Sequence, residues 1–209
     1  MPSTEVDSSA GSRPGGRSSK VRRKVIDAIK TALQEGDFES LSIEAIAGMA
    51  GVNKTTVYRR WLNKQGLVAD LLDDIANAYP APPDTGGIAG DLIAVARYLN
   101  STFRTSFGRS LIATIVSSSD PVLVDATHRY WNRQFNGVGR IVSRAIRRGE
   151  LDPDTNPSEV VESTLAPIYL RALITREDLD PEGIERLVTI AISPHLVKDT
   201  EKANREDAR

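Results

Sequence analysis

The turn Ala50-Gly51-Val52-Asn53 constrains this chain most, because it stands between two short runs with helical spacing. Gly51 falls where a tight turn needs positive φ, and Asn53 is placed to cap the helix that follows. Before the turn, Ser42 is placed to cap a helix that carries Ile43, Ile46, Ala47 and Ala50 inward; after it come Thr56, Val57 and Tyr58, with Val57 pointing inward. Upstream, Val21, Val25, Ile26, Ile29 and Leu33 recur on one helical face. That helix starts from Ser18 or Ser19, either of which can cap it, and ends at Gly36; Phe38 and Leu41 close the bottom of a small core. The expected unit is a three-helix head containing a helix-turn-helix.

The remaining periodicity is also helical. A fourth helix carries Leu67, Val68, Leu71, Leu72, Ile75 and Tyr79 and stops at "YPAPPDTGG", whose prolines and glycines do not fit inside a helix. Ile88, Leu92, Ala96, Leu99, Phe103 and Phe107 form one segment, and Val124, Thr127, Trp131, Phe135, Val138, Val142 and Ile146 another. "RRGELDPDTNPSE" interrupts, and "EVVESTLAPIYLRALIT" and "PEGIERLVTIAI" supply the last two helices, with Pro167 expected to kink the first. The chain therefore reads as all-α, about nine helices in all. Residues 1–17, rich in Ser, Gly and Pro, read as a disordered basic arm, 18–80 as the helix-turn-helix domain, 81–197 as a second, helical domain, and 198–209 as a disordered charged tail.

Composition excludes several classes. The 209 residues are 40% hydrophobic and 26% charged, ordinary for a globular chain. With 27 Lys plus Arg against 28 Asp plus Glu the formal charge is -1, so affinity for nucleic acid must come from local clustering. The absence of cysteine removes disulfides, thiolate metal sites and cysteine nucleophiles. No apolar run reaches the ~18 residues of a membrane span and no signal-peptide core is present, so the expected location is the cytoplasm, without membrane association.

Local clustering is what "NKTTVYRRWLNK", Asn53 to Lys64, supplies: two lysines and two arginines with no acid. A solvated helix face is the plain alternative. Its position on the second helix of a helix-turn-helix points instead to the DNA major groove, where N-terminal side chains meet base edges and flanking groups hold phosphates. Lys54, Thr55 and Thr56 open the helix, the Tyr58 hydroxyl can donate to a phosphate, and Lys64 starts the fourth helix, where free backbone N–H groups add to its charge. The expected DNA-contacting set is Ser42, Asn53, Lys54, Thr55, Thr56, Tyr58, Arg59 and Lys64. Arg13, Arg17, Lys20, Arg22, Arg23 and Lys24 form a second basic cluster, either a backbone or minor-groove contact or a solubilising tail.

Together, "LSIEAIAGMAGVNKTTVYRRWLNKQGLVADLL" resembles the DNA-binding domain of the tetracycline-repressor (TetR) family of bacterial transcriptional regulators over about Lys20 to Tyr79. The resemblance rests on Ile46 and Ala47, the turn Ala50 to Val52, Thr56 to Tyr58, Trp61, Lys64 and Leu67. It implies that Thr56, Tyr58 and Lys64 touch phosphates and that Asn53 to Thr55 and Arg59 approach bases. Thr55 replaces a common Gly and Leu62 a common Pro; the first bears on which base is read, and the second leaves the turn less rigid. "IVSRAIRRGELDPD", "LAPIYLRALIT" and "PEGIERLVTIAI" resemble the C-terminal domain of one actinobacterial-type subgroup, which implies a homodimer joined by its last two long helices and a cavity for an inducer. Two heads one helical turn apart, ~34 to 36 Å, suit a near-palindromic operator.

The function expected is a ligand-responsive repressor released from double-stranded DNA by a small hydrophobic effector, with no catalytic residue, metal or cofactor. A DNA-binding scaffold with a filled core is the alternative. A helical-bundle enzyme is the remote one, because His128 and His195 both lack a Glu three residues earlier. The candidate effector residues are Phe103, Phe107, His128, Trp131, Phe135 and Arg171. His128, Trp131, Asn132 and Phe135 share one face of a helix by spacing, and Phe103 and Phe107 one face of another. His128 or Arg171 would be the polar anchor; plain aromatic core and a structural ion pair are the competing readings.

Overall fold

The computed structural model describes residues 15–36, 42–78 and 81–197. Phe38, Leu41, Tyr79, Arg13, the Arg17 side chain, most of the basic arm and the charged tail lie outside the described residues. Nine α-helices are described: α1 (Gly15–Glu35), α2 (Ile43–Ala50), α3 (Lys54–Trp61), α4 (Lys64–Ala78), α5 (Ile88–Arg104), α6 (Ser106–Ser117), α7 (Pro121–Arg148), α8 (Pro157–Leu170) and α9 (Pro181–Ile192). A π-helical turn, Arg171–Thr175, extends α8. Among the described residues the only β-type pairing is one bridge between Leu151 and Leu196, which ties the segment after α9 to the α7–α8 loop.

The head forms as its local signals direct. Ser42 Oγ accepts the Ala45 N–H at 3.0 Å, Asn53 Oδ1 accepts the Thr55 N–H at 2.9 Å, and Gly51 sits at φ 61° between the two helices. α1 differs: it begins at Gly15, so Ser18 and Ser19 lie within it rather than capping it, and Ser19 bonds back to the Gly16 carbonyl at 3.1 Å. Ile26, Ile29, Leu33, Ile46, Val57, Leu67, Leu71 and Leu72 are buried to within 1%. At about 1.5–3 kcal/mol for each large apolar side chain, this packing, rather than propensity, holds helices as short as α2 and α3. The same core runs on through Leu111, Ile112 and Ile115 of α6 and Leu123 and Ala126 of α7.

Two elements depart from the periodicity. The segment from Ile88 to Phe107 is two helices, because Thr105 turns extended at ψ 149° and its hydroxyl caps α6 by accepting the Gly108 N–H at 3.0 Å. Phe103 and Phe107 thus stand on different helices. Pro167 lies inside α8 without ending it; four residues later the helix widens into the π-helical turn, which closes on Arg176 at φ 55°.

Candidate nucleic-acid interface and adjoining cavity

α3 presents its polar side outward. Lys54, Thr55 and Arg59 are exposed, Thr56 is half-buried, and Val57 is fully buried against the head core. Ser42 and Asn53 are exposed but commit side-chain oxygens to their caps. Lys64 opens α4, whose Gly66 N–H is held by Asn63 Oδ1 at 2.8 Å. Gly66 is required there, since a Cβ would fall 2.2 Å from the Trp61 carbonyl oxygen. The Tyr58 hydroxyl donates to Glu44 of α2 at 2.9 Å. Glu44's own backbone N–H, then that hydroxyl, hold its carboxyl below the usual range; the same bond raises the Tyr58 phenol. For the phosphate contact expected from the sequence, this hydroxyl would have to leave the Glu44 carboxylate.

The link between α3 and α4 is tight rather than loose. Leu62 adopts φ 59°, ψ -51°, and the Asn63 N–H reaches back to the Trp61 carbonyl at 2.6 Å, a γ-turn that few non-glycine residues adopt. Trp61 is buried, donates its indole N–H to Asp70 of α4 at 2.9 Å, and takes the Arg60 guanidinium over its ring at 5.1 Å. α3 is therefore fastened to α4 at its C-terminal end.

Arg22 corrects the reading of the upstream cluster. It is paired with Asp70 at 2.8 Å and Asp74 at 3.2 Å, and Lys30 adds a second bond to Asp74 at 3.0 Å. Burial alone would raise the Asp74 carboxyl, but Lys30 and Arg22 together bring it below the ordinary value. Arg22 thus binds α1 to α4, whereas Lys20, Arg23 and Lys24 remain exposed.

Above the head, a mainly apolar cavity of about 280 Å³ lies among α4, α5, α6, α7 and α8. Phe103, Phe107 and Trp131 line it, joined by Tyr130, Gln134 and Tyr169. Phe103 and Trp131 each meet the Tyr169 ring edge-on, with centroids 5.1 Å apart. The other candidates lie elsewhere. His128 is exposed and outside the cavity wall, Phe135 is 37% exposed and stacks on the outer side of Trp131 at 5.8 Å, and Arg171 lines a separate open cleft with Arg104, Arg109 and Arg176. The reason is the rotation of α7: Tyr130, Gln134 and Val138, spaced by four, turn inward, and the His128–Asn132–Phe135 line turns toward solvent. Gln134 is absent from the candidate set because it is a polar position among the polar neighbours Asn132, Arg133 and Asn136; its signal is the spacing of three from Trp131 and four from Tyr130. Among the described residues no group of three or more His, Cys, Asp or Glu is placed to hold a metal ion, and no helix is long and apolar enough to cross a membrane.

A capped, outward-facing basic helix after a glycine turn, fixed to a helical body, defines a helix-turn-helix DNA-binding regulator. The family described as bacterial regulatory proteins, tetR family, matches residues 25–71, and the tetracyclin repressor-like C-terminal domain matches residues 82–191. The HTH-type transcriptional regulator AqdR of Rhodococcus erythropolis is 32% identical over 169 residues, covering 79% of this chain and 82% of AqdR. The DNA-binding transcriptional repressor TetR of Mycobacteroides abscessus is 28% identical over 165 residues, covering 77% of this chain and 85% of that protein. Among solved structures, the TetR family transcription regulator SCO0332 superposes with a TM-score of 0.68 at 28% identity over 83% of this chain and 97% of its own. Bacillus subtilis FadR in complex with stearoyl-CoA shares the fold with a TM-score of 0.66 at 15% identity, over 82% of this chain and 97% of its own. The chain belongs to the tetR family and is a DNA-binding transcriptional regulator.

Proposed function

We infer that this chain is a homodimeric repressor that leaves a near-palindromic operator when a small, mainly apolar effector fills the cavity between α4 and α8. The observation that carries this reading is the double role of α4. Its C-terminal half, through Leu72, Ile75 and Ala78, walls the cavity, and its N-terminal half holds α3 through Asp70 and the Trp61 indole. An effector that binds better to a conformation with α4 displaced lowers operator affinity by its differential affinity for the two states. A fold-mate crystallised with stearoyl-CoA and a relative named as a repressor support the ligand and the sign. Leu170, Ile174 and Ile190, 50%, 71% and 68% exposed on α8, its extension and α9, leave apolar surface for a second copy. Ser42, Asn53, Lys54, Thr55, Thr56, Tyr58, Arg59 and Lys64 are the proposed DNA contacts.

The test starts by sequencing the genomic fragments that the protein selects. On such a fragment, Lys64→Ala should weaken binding alike on all sequences and flatten the log-log salt slope by about one unit, while a change at Thr55 alters site preference. An unchanged salt slope removes Lys64 from the phosphate contacts.

A further inference from the structure

Beside the apolar cavity lies a larger, open cleft of about 830 Å³ between the end of α5, α6 and the π-helical turn. Arg104, Arg109, Arg171 and Arg176 line it against two acids, Glu177 and Asp178, which leaves an excess of two positive charges. Arg104 meets Asp178 at 3.4 Å in a pair exposed on both sides, and Arg109 is held by the Phe103 and Arg104 carbonyls at the end of α5. Arg171 and Arg176 differ: among the described residues neither guanidinium has a hydrogen-bond or ion-pair partner, although Arg171 is half-buried. A charge partly withdrawn from water without a counter-charge costs free energy, so Arg171 calls for an anion. The π-helical turn brings the two arginines to one wall, because its i→i+5 bonding sets residues five apart above one another. Arg176 closes that turn at φ 55°, a strained conformation for a residue other than glycine. Leu170 and Ile174, exposed on the proposed dimer face, are not part of the cleft wall.

We propose that this cleft is a second ligand site, separate from the apolar cavity, that takes a small organic phosphate monoester through Arg171 and Arg176. A phosphate monoester carries a charge of about -1.5 to -2 near neutral pH and three acceptor oxygens, which matches the excess charge and engages two guanidinium forks. A carboxylate brings about half that charge and suits a single fork. The cleft has the size of a small-molecule site rather than that of a bare phosphate ion, and Phe103, Ile168 and Leu173 offer the organic part apolar surface. The proposal does not depend on the effector reading above, because the two sites share only Phe103 in their walls.

Three probes separate the cases: phenyl phosphate, benzoate and inorganic phosphate, each titrated calorimetrically into the full chain at about 0.1 M salt, which screens loosely held surface charge. Phenyl phosphate should bind tightest of the three. Arg171→Gln and Arg176→Asn, the second a residue that accepts positive φ, should each lower its affinity roughly tenfold. Arg97→Gln, at an exposed arginine paired with Glu185 outside the cleft, should leave it unchanged. Unchanged affinity in either cleft variant, each still folded by circular dichroism, places the anion elsewhere, such as on the basic α3 face, and overturns the site. Benzoate binding as tightly as phenyl phosphate overturns the phosphate class, and inorganic phosphate binding as tightly overturns the organic part. Absence of phenyl phosphate binding at millimolar concentration overturns the whole proposal and leaves the apolar effector reading standing.

Discussion

Asp91 offers the sharpest test of how the body of this protein is held. Its carboxylate is fully buried on α5 and accepts the Thr85 N–H at 2.6 Å, the Thr85 hydroxyl at 2.8 Å and Arg144 Nη2 of α7 at 2.9 Å. Arg144 also bonds the Pro83 carbonyl, so one ion pair fixes the head-to-body connection onto α5 and α7. Asp91→Ala leaves the Thr85 amide without its acceptor and strips the guanidinium of its buried carboxylate, leaving it the Pro83 carbonyl and the more distant Asp84 at 3.6 Å. Breaking a buried pair of this kind costs about 3–5 kcal/mol, which for a chain of this size lowers the melting temperature by about 6–20 °C. The exposed acid Asp125, 70% exposed and paired with Arg129, is the control: Asp125→Ala should cost under about 0.5 kcal/mol. Urea denaturation at fixed protein concentration, pH 7, reads both. Burial by itself would raise the Asp91 carboxyl, but Thr85 and Arg144 outweigh it and the folded value lies below the ordinary one. Its stabilisation is therefore complete above the unfolded carboxyl value of about 3.9 and is lost as pH falls through the lower folded value, so the gap between wild type and Asp91→Ala should hold down to about pH 4 and close only as pH falls further. A loss under about 1 kcal/mol at pH 7, or strict additivity with Arg144→Met, would refute the reasoning.

Other outcomes follow from single contacts. Glu44→Gln removes a negative charge beside Tyr58, on the proposed DNA face, and should tighten binding about threefold to tenfold at low salt, converging with wild type at high salt; equal affinity at low salt contradicts it. Leu62→Gly relieves the positive φ of the γ-turn and should raise stability by about 1 kcal/mol, seen as a melting temperature about 2–4 °C higher; an unchanged or lower value counts against strain at Leu62. Wild type should give twice the 22.8 kDa chain mass by sedimentation equilibrium and Ile174→Arg combined with Ile190→Arg the monomer mass, and a variant that remains dimeric places the interface elsewhere.

The head was legible because its signals act over a few residues. The Gly51 turn, the Ser42 and Asn53 caps and the inward Val57 depend on backbone conformation and helical spacing, which neighbours in sequence decide. The body was less so, and each difference has a physical cause. Phe103 and Phe107 are four residues apart whether one helix or two carry them, and only the Thr105 cap settles which. Arg22 has the same basic composition as Lys20 or Arg23, but Asp70 and Asp74, 48 and 52 residues away, take it out of the exposed basic cluster. The Asp91–Arg144 pair spans 53 residues for the same reason. On α7 the sequence supplied two stripes through Trp131, one with His128 and Phe135 and one with Tyr130 and Gln134. The rotation of that helix against α4 turned the second toward the cavity, because side chains distant in sequence, not the helix itself, choose which face is buried.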